Sequence, residues 1–128
     1  MRQRIAGLDL IAGGRRLASE TTIQDAGGYV LVAETVVPAV GLAVTSCYVA
    51  DLAGETAVSH MHLVSGQRPV FRQRVLGRLA GQTHARGCLL DHASQLRAVA
   101  AAELGETVVL QLDEPALERA EAAWRTSE

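Results

Sequence analysis

The stretch YVLVAETVVPAVGLAVTSCYVA, residues 29–50, is the longest apolar stretch of the chain and decides its fold. Read as a helix, it places most of its valines and leucines broadly on one side, with Glu34 as its only carboxylate. Read as two strands, it uses the β-branched residues of YVLVAETVV and GLAVTSCYV, with Pro38 between them. Because a proline inside a helix costs about 3 kcal/mol, local propensity favours the strands, while the helix interpretation has to explain Pro38.

The composition around this stretch predicts one ordinary domain over residues 1–128. The chain has 48% hydrophobic residues, a formal net charge of −2 and 12 basic residues, all of them arginine. A chain of this length buries roughly two thirds of its unfolded surface, so it needs no metal or disulfide to hold a core. Cys47 and Cys88 lack CxxC spacing and are expected to be small core residues.

The charge and hydropathy patterns exclude two classes of partner. A slightly acidic chain without an arginine cluster is not typical of a protein that binds nucleic acid through its phosphates. No apolar run reaches the roughly 20 residues that a membrane-spanning helix needs. We therefore predict a cytoplasmic protein with neither a nucleic-acid nor a membrane partner.

Glycine and proline positions divide the rest of the chain into short elements. We predict strands over residues 4–12, 16–24, 56–64, 70–79, 83–91 and 107–112. Residues 96–104 are either a further strand or a helix with Asp91 as its N-cap and Gly105 just past its end. A polar helix is predicted to start at Asp113.

The predicted strand over residues 56–64 carries two histidines on one face. Alternation places His60 and His62 on the same side, and imidazoles two residues apart can ligate a metal. No third ligand follows at a recognisable spacing, so we predict no metal site. We expect both histidines to face a subunit interface or solvent.

Several segments resemble small bacterial acyl-CoA thioesterases of the phenylacetate-degradation and 4-hydroxybenzoyl-CoA types. GLDLIAGG (7–14) resembles their first strand, and DAGGYVLVAETVVPAVGLAVTS (25–46) resembles their His-Gly-Gly turn and helix. SHMHLVSGQRPV (59–70) and the segment 75–104 resemble the strands that follow. The resemblance covers roughly residues 5–104. It implies an α+β hotdog fold, a curved antiparallel sheet around one long helix, with residues 105–128 and their C-terminal helix as an extension.

The resemblance also implies a set of site residues. Glu34 occupies the place of the family's catalytic carboxylate, and the amides of Gly27 and Gly28 that of its oxyanion turn. Asp25 stands where the family has its histidine, and Ala26 where it has the first glycine. This is a departure, because an ionised aspartate only accepts hydrogen bonds and repels a developing oxyanion.

Arg68 and Arg86 are the candidates for holding the phosphates of coenzyme A, because guanidinium groups match phosphate oxygens. The resemblance therefore implies an acyl-CoA or acyl-carrier thioester hydrolase, or a related acyl-thioester-binding protein. It needs no cofactor beyond the coenzyme A moiety of its substrate. A lone hotdog domain exposes an edge strand, so a homodimer or homotetramer is expected.

Two other classes of function stay open. One is a non-catalytic small-ligand-binding protein, either a β-barrel or a degenerate hotdog, in which residues 29–37 form a strand. The other is a structural or assembly protein that joins partners through its sheet edges and its C-terminal helix.

Overall fold

The computed structural model describes residues 2–5, 8–25, 30–50, 55–78, 84–105 and 107–112, together with Pro115 and Glu118. The first strands are β1 (Arg2–Ile5), β2 (Leu8–Ala12), β3 (Arg15–Leu17) and β4 (Glu20–Asp25). They are followed by β5 (Val30–Val37), β6 (Leu42–Ala50), β7 (Glu55–Val64) and β8 (Val70–Arg78). The helix α1 (His84–Leu104) and the strand β9 (Val108–Leu112) come last. The fold is α+β with antiparallel sheets, as predicted.

Two antiparallel sheets form around α1. The large sheet has the strand order β1-β4-β5-β6-β7-β8, so its last five strands are a meander in which each strand pairs with the next. The small sheet has the order β3-β2-β9. Helix α1 contacts β5 and β6 of the large sheet and β9 of the small one. The helix is thus packed between the two sheets.

Residues 29–50 form strands where the structure describes them, so the helix that the thioesterase resemblance implied for this segment is wrong. β5 and β6 are paired from Val30↔Val49 to Val37↔Leu42. Pro38 begins a short 3-10 turn, Pro38–Val40, and Gly41 follows with a φ of 64°. A Cβ on Gly41 would lie 2.8 Å from the Cβ of Ser65, so glycine is required there. The strand preference of the β-branched residues, together with Pro38, therefore outweighs the helical spacing of the apolar residues.

The long helix instead lies at residues 84–104, where we predicted a strand over 83–91. Val99 is the only β-branched residue in this segment. Buried residues recur at helical spacing: Cys88, Leu89, His92, Ala93, Leu96, Val99 and Ala100. The helix alternative for residues 96–104 is confirmed, and Gly105 follows it with a φ of 66°. Asp91 lies inside the helix and is not its N-cap.

The turn at Gly13–Gly14, the strands at 56–64 and 70–79 and the strand at 107–112 are confirmed within one residue. The single strand predicted over 16–24 is wrong, because β3 and β4 are separate strands in different sheets, and the strand predicted over 4–12 likewise includes the end of β1 and all of β2, which lie in different sheets. Pro115 and Glu118 are helical, and the rest of the predicted C-terminal helix lies outside the described residues. Among the residues described, no helix has the length and apolarity needed to cross a membrane.

The large sheet has two unlike faces. The inner face packs on α1 and carries most of the buried side chains, among them Leu31, Val37, Leu42 and Val58. Alternation along the strands sends every second side chain to the opposite face, which we call the outer face. On strands β5 to β8 it carries the following apolar residues: Val32, Val36, Ala43, Cys47, Val49, Ala57, Met61, Leu63, Phe71 and Val75.

Candidate functional site: a polar layer between the sheet and the helix

A row of polar side chains crosses the core of the protein, and we call it the polar layer. Four neighbouring strands and α1 each contribute one buried residue: Thr21, Thr35, Ser46, His60 and His92. One apolar cluster lies beside it, around Leu31, Tyr48 and Leu89. A second cluster lies on its other side, around Leu10, Leu42 and Leu96. The layer therefore divides the core in two.

Hydrogen bonds join the polar layer into one chain. Ser46 Oγ lies at its centre, 2.9 Å from His60 Nδ1 and 2.6 Å from His92 Nδ1. The other ring nitrogen of His92, Nε2, lies 2.8 Å from Thr35 Oγ1, which lies 2.8 Å from Thr21 Oγ1. At the opposite end, Arg74 Nη2 lies 3.0 Å from His60 Nε2.

Arg74 fixes the direction of this chain, because a guanidinium group only donates. His60 Nε2 must accept from it, so a neutral His60 carries its hydrogen on Nδ1 and donates to Ser46 Oγ. Ser46 then donates its single hydrogen to His92 Nδ1. His92 in turn donates from Nε2 to Thr35, which leaves the Thr35 hydroxyl hydrogen for Thr21 Oγ1.

Asp91 closes the chain at its more exposed end. Its Oδ1 accepts from Arg74 Nη2 at 2.5 Å, and its Oδ2 accepts from the Tyr48 hydroxyl at 2.6 Å. Asp91 Oδ2 also lies 3.6 Å from His60 Nε2. The side chain of Arg74 is substantially exposed, whereas that of Asp91 is mostly buried. The one negative and the one positive charge of this cluster therefore pair with each other near the surface.

Burial keeps both imidazoles of the polar layer neutral. It lowers the pKa of His92 to about 4, and the neighbouring His60 lowers it further while Asp91 opposes the shift. Burial also lowers the pKa of His60, although Asp91 acts in the opposite direction. Burial and the hydrogen bond to Asp91 both raise the pKa of the Tyr48 hydroxyl. At neutral pH these three groups are uncharged, as the direction of the hydrogen bonds requires.

The arrangement contains the parts of a nucleophile and its base, but they are enclosed. Ser46 donates to a neutral imidazole, which is how a serine is activated for attack. Ser46 and His92 are completely buried between the sheet and the helix. Among the described side chains, Thr56 Oγ1 is the one buried polar atom without a partner. The polar layer is thus an internal hydrogen-bonded network that fixes α1 on the large sheet.

Glu34, the predicted catalytic carboxylate, lies away from the polar layer. It is half-buried on the outer-face side of β5, paired with Thr22 on one side and Thr45 on the other. The Thr45 hydroxyl donates to Glu34 Oε2 at 3.4 Å. Glu34 therefore shares its surface with Val32 and Val36, which alternate with it along the strand.

The remaining predicted site residues are not brought to Glu34 where they are described. Asp25 ends β4 opposite Leu31, three positions from Glu34, about 10 Å along the strand. Arg68 lies exposed in the turn after β7, and Arg86 lies in the first turn of α1. Gly27 and Gly28 lie outside the described residues.

Most of the polar layer was missed in the sequence. Strand alternation points to His60, but the expectation that it faces an interface or solvent is wrong, since it is buried in the polar layer. A usable signal exists, because β5 and β6 each carry one polar residue at an inward position, Thr35 in VLVAETVV and Ser46 in LAVTSCYV. Cys88 is buried as expected, whereas Cys47 is half-buried.

Comparisons with protein families, with curated proteins and with solved structures give no match to this chain. Within the described ranges, no group of three or more histidine, cysteine, aspartate or glutamate side chains is placed to hold a metal ion.

Proposed function

We propose that this chain is a non-catalytic assembly protein that forms a homodimer through the outer face of its large sheet. The observation that carries the proposal is the exposure of large apolar side chains there. Phe71 is 69% exposed, Val75 is 66% exposed, and Val49 and Val36 are exposed as well. Contiguous apolar surface of this kind marks an interaction site in a folded protein.

The composition of the outer face favours a second copy of the same chain. Its strands carry ten apolar outward residues, and the carboxylates among their outward residues are Glu34 and Glu55. A face with so little charge offers no electrostatic selection of a different partner. Two such faces are alike and can pack against each other about a twofold axis, as the inner faces of a β-sandwich do.

The size of the outer face also suits a dimer. Four strands, β5 to β8, spaced about 4.8 Å apart and each about 9 residues long, cover roughly 19 by 30 Å, or about 570 Å² in projection. The accessible area of a face with protruding side chains is larger than its projection. It therefore approaches the roughly 800 Å² that each partner buries in a standard protein interface.

The first test replaces Val75 with glutamate. We expect wild-type protein to be a dimer at micromolar concentration in sedimentation velocity, and Val75→Glu to raise the dimer dissociation constant at least about 100-fold, or about 2.7 kcal/mol. The reason is that each subunit then places an unpaired carboxylate in the apolar interface. Phe71→Glu is a second variant of the same face with the same expected result.

Val109→Glu is the matched control for this test. Val109 is 52% exposed on β9, in the small sheet, so the same change is made at a similar exposure away from the outer face. It should leave the dimer intact. A wild-type chain that is monomeric at about 100 µM, or a dimer broken by Val109→Glu and not by Val75→Glu, would contradict the proposal.

Thioester hydrolysis is a second candidate, supported by the Glu34 carboxylate and its Thr45 hydroxyl on an apolar surface. One helix packed against an antiparallel sheet is compatible with a hotdog-like fold, although here the helix follows eight strands. Under this proposal Glu34 attacks the thioester or activates water.

Glu34→Gln separates the two candidates. If the chain is an assembly protein, the wild type releases no thiol from a panel of short, long and aromatic acyl-CoA substrates, and the variant forms the same dimer as the wild type. As a hydrolase, the wild-type chain releases thiol, and the variant loses at least about 100-fold of that rate because the carboxylate is gone. Glu20→Gln, on the neighbouring strand β4, is the control for loss of a sheet carboxylate.

A further inference from the structure

A groove runs between α1 and the strand β9, on the helix side of the large sheet. The helix contributes a stripe at the spacing i, i+3, i+4 and i+7: Leu90, Ala93, Ser94 and Arg97. Val108, Val109 and Leu110 of β9 line the other wall. Leu90 is 40% exposed in the groove, although it is a large apolar side chain.

The groove follows the edge of β9 that pairs with no other described strand. Val108 is buried and Val109 is exposed, so these neighbours point to opposite faces of the strand. A groove lined by both neighbours therefore reaches the edge of the strand. The other edge of β9 is paired with β2, from Leu8↔Leu112 to Ala12↔Val108, and β9 is the last strand of its sheet.

An edge strand offers a defined binding chemistry. In an antiparallel sheet, alternate residues of β9 direct both the backbone N–H and the backbone C=O away from β2. An added strand can pair with these groups, while its alternate side chains enter the adjoining apolar groove. Leu90, Ala93 and Leu110 provide the apolar wall for such side chains.

Arg97 adds a positive charge to the lining of this groove, which also includes the polar side chain of Ser94. It is exposed on α1, and none of the ion pairs found between described residues includes it. A guanidinium group at the wall of a peptide groove favours a carboxylate in the bound segment, either an acidic side chain or a free C-terminus.

The geometry points to a peptide-binding site: the groove between α1 and β9 takes an extended segment of a partner protein, which pairs with the edge of β9, inserts alternate apolar side chains and places a carboxylate at Arg97. This activity goes beyond the proposed homodimer and uses different residues. The outer face lies on the other side of the large sheet, so either proposal can fail alone.

The test measures binding of three fluorescein-labelled hexapeptides by fluorescence polarisation. Each alternates valine and threonine. One ends in glutamate with an amidated C-terminus, one ends in valine with a free carboxylate, and one ends in valine amide. We expect saturable binding of at least one carboxylate peptide with a dissociation constant of about 10–100 µM, and binding at least fivefold weaker for the neutral peptide. The first two peptides distinguish a side-chain carboxylate from a chain terminus.

Three variants locate the site. Arg97→Gln should weaken the binding of the carboxylate peptide about tenfold and the binding of the neutral peptide less than twofold. Leu90→Asp should weaken the binding of all three peptides. Arg15→Gln, at another exposed arginine, on β3 at the far edge of the small sheet, should leave the binding of all three peptides unchanged. Added peptide should also slow hydrogen exchange of β9 amides, which binding elsewhere would not do.

The proposal is overturned if the wild-type chain binds neither carboxylate peptide below about 1 mM, or if binding is unchanged in both Arg97→Gln and Leu90→Asp. Hydrogen exchange of the β9 amides is also measured without peptide at several protein concentrations. If exchange slows as the protein concentration rises, the groove binds a second copy of the chain, and the proposal is overturned.

Discussion

Replacing His92 with alanine is expected to lower the free energy of unfolding by about 3–5 kcal/mol, and the melting temperature by about 10 °C or more. Two losses combine in this estimate. A cavity opens in a completely buried position, and the Ser46 and Thr35 hydroxyls lose their partners where no water reaches them. Urea unfolding followed by circular dichroism measures the change.

His62→Ala is the control for the loss of an imidazole. His62 lies two residues after His60 on β7, is more accessible, and its Nε2 lies 3.6 Å from Glu103 Oε1. This change should cost less than His92→Ala, because His62 is not completely buried and no hydrogen bond between described residues is lost with it. Equal losses in the two variants would show that the polar layer has no special part in stability.

Acidification is expected to destabilise the fold between pH 6.5 and pH 4 through His92. Its pKa is about 4 in the folded chain, against 6.5 when unfolded, so the unfolded state binds more protons in this window. The contribution is complete above pH 6.5 and is lost as the pH falls towards 4. At pH 4.5 the free energy of unfolding should be about 2–3 kcal/mol lower than at pH 7.5 from this group alone. The lowered pKa of His60 acts in the same direction.

His92→Gln tests the origin of this pH dependence. Glutamine keeps a donor and an acceptor but does not titrate, so the variant should be less stable at pH 7.5 and should lose about 2–3 kcal/mol less on going to pH 4.5. His62→Gln is the matched variant for replacement of an imidazole outside the polar layer. An undiminished pH dependence in His92→Gln would mean that other groups, the carboxylates among them, cause the acid sensitivity.

The sequence predicts the strands of this protein better than its helix. Glycine and proline mark the ends of β2, β5 and β7 because turns need their backbone conformations, and alternation identifies β7 directly. The segment 29–50 is ambiguous because its strands β5 and β6 carry apolar residues on both faces, which removes the alternation that normally distinguishes a strand.

The helix is harder to predict because its buried side includes a histidine and several alanines. His92 and Asp91 interrupt the apolar pattern of α1, and a strand over residues 83–91 becomes credible as a result. Burial of His92 is possible only because Ser46 and Thr35 come from strands far away in the chain. Such partners depend on tertiary register, which local patterns do not contain.

The strand order of the two sheets has a consequence for how the chain reaches its native state. From β4 to β8 every pairing joins consecutive strands, so this meander closes only short loops. The pairing of β9 with β2 joins the two ends of the chain and closes a loop of about a hundred residues, which costs more entropy. Loop-closure entropy therefore favours pairing within the meander before the pairing of β9 with β2. The Thr35 and Ser46 hydroxyls gain His92 as a partner only when α1 packs on the meander, so docking of the helix replaces water at these two groups.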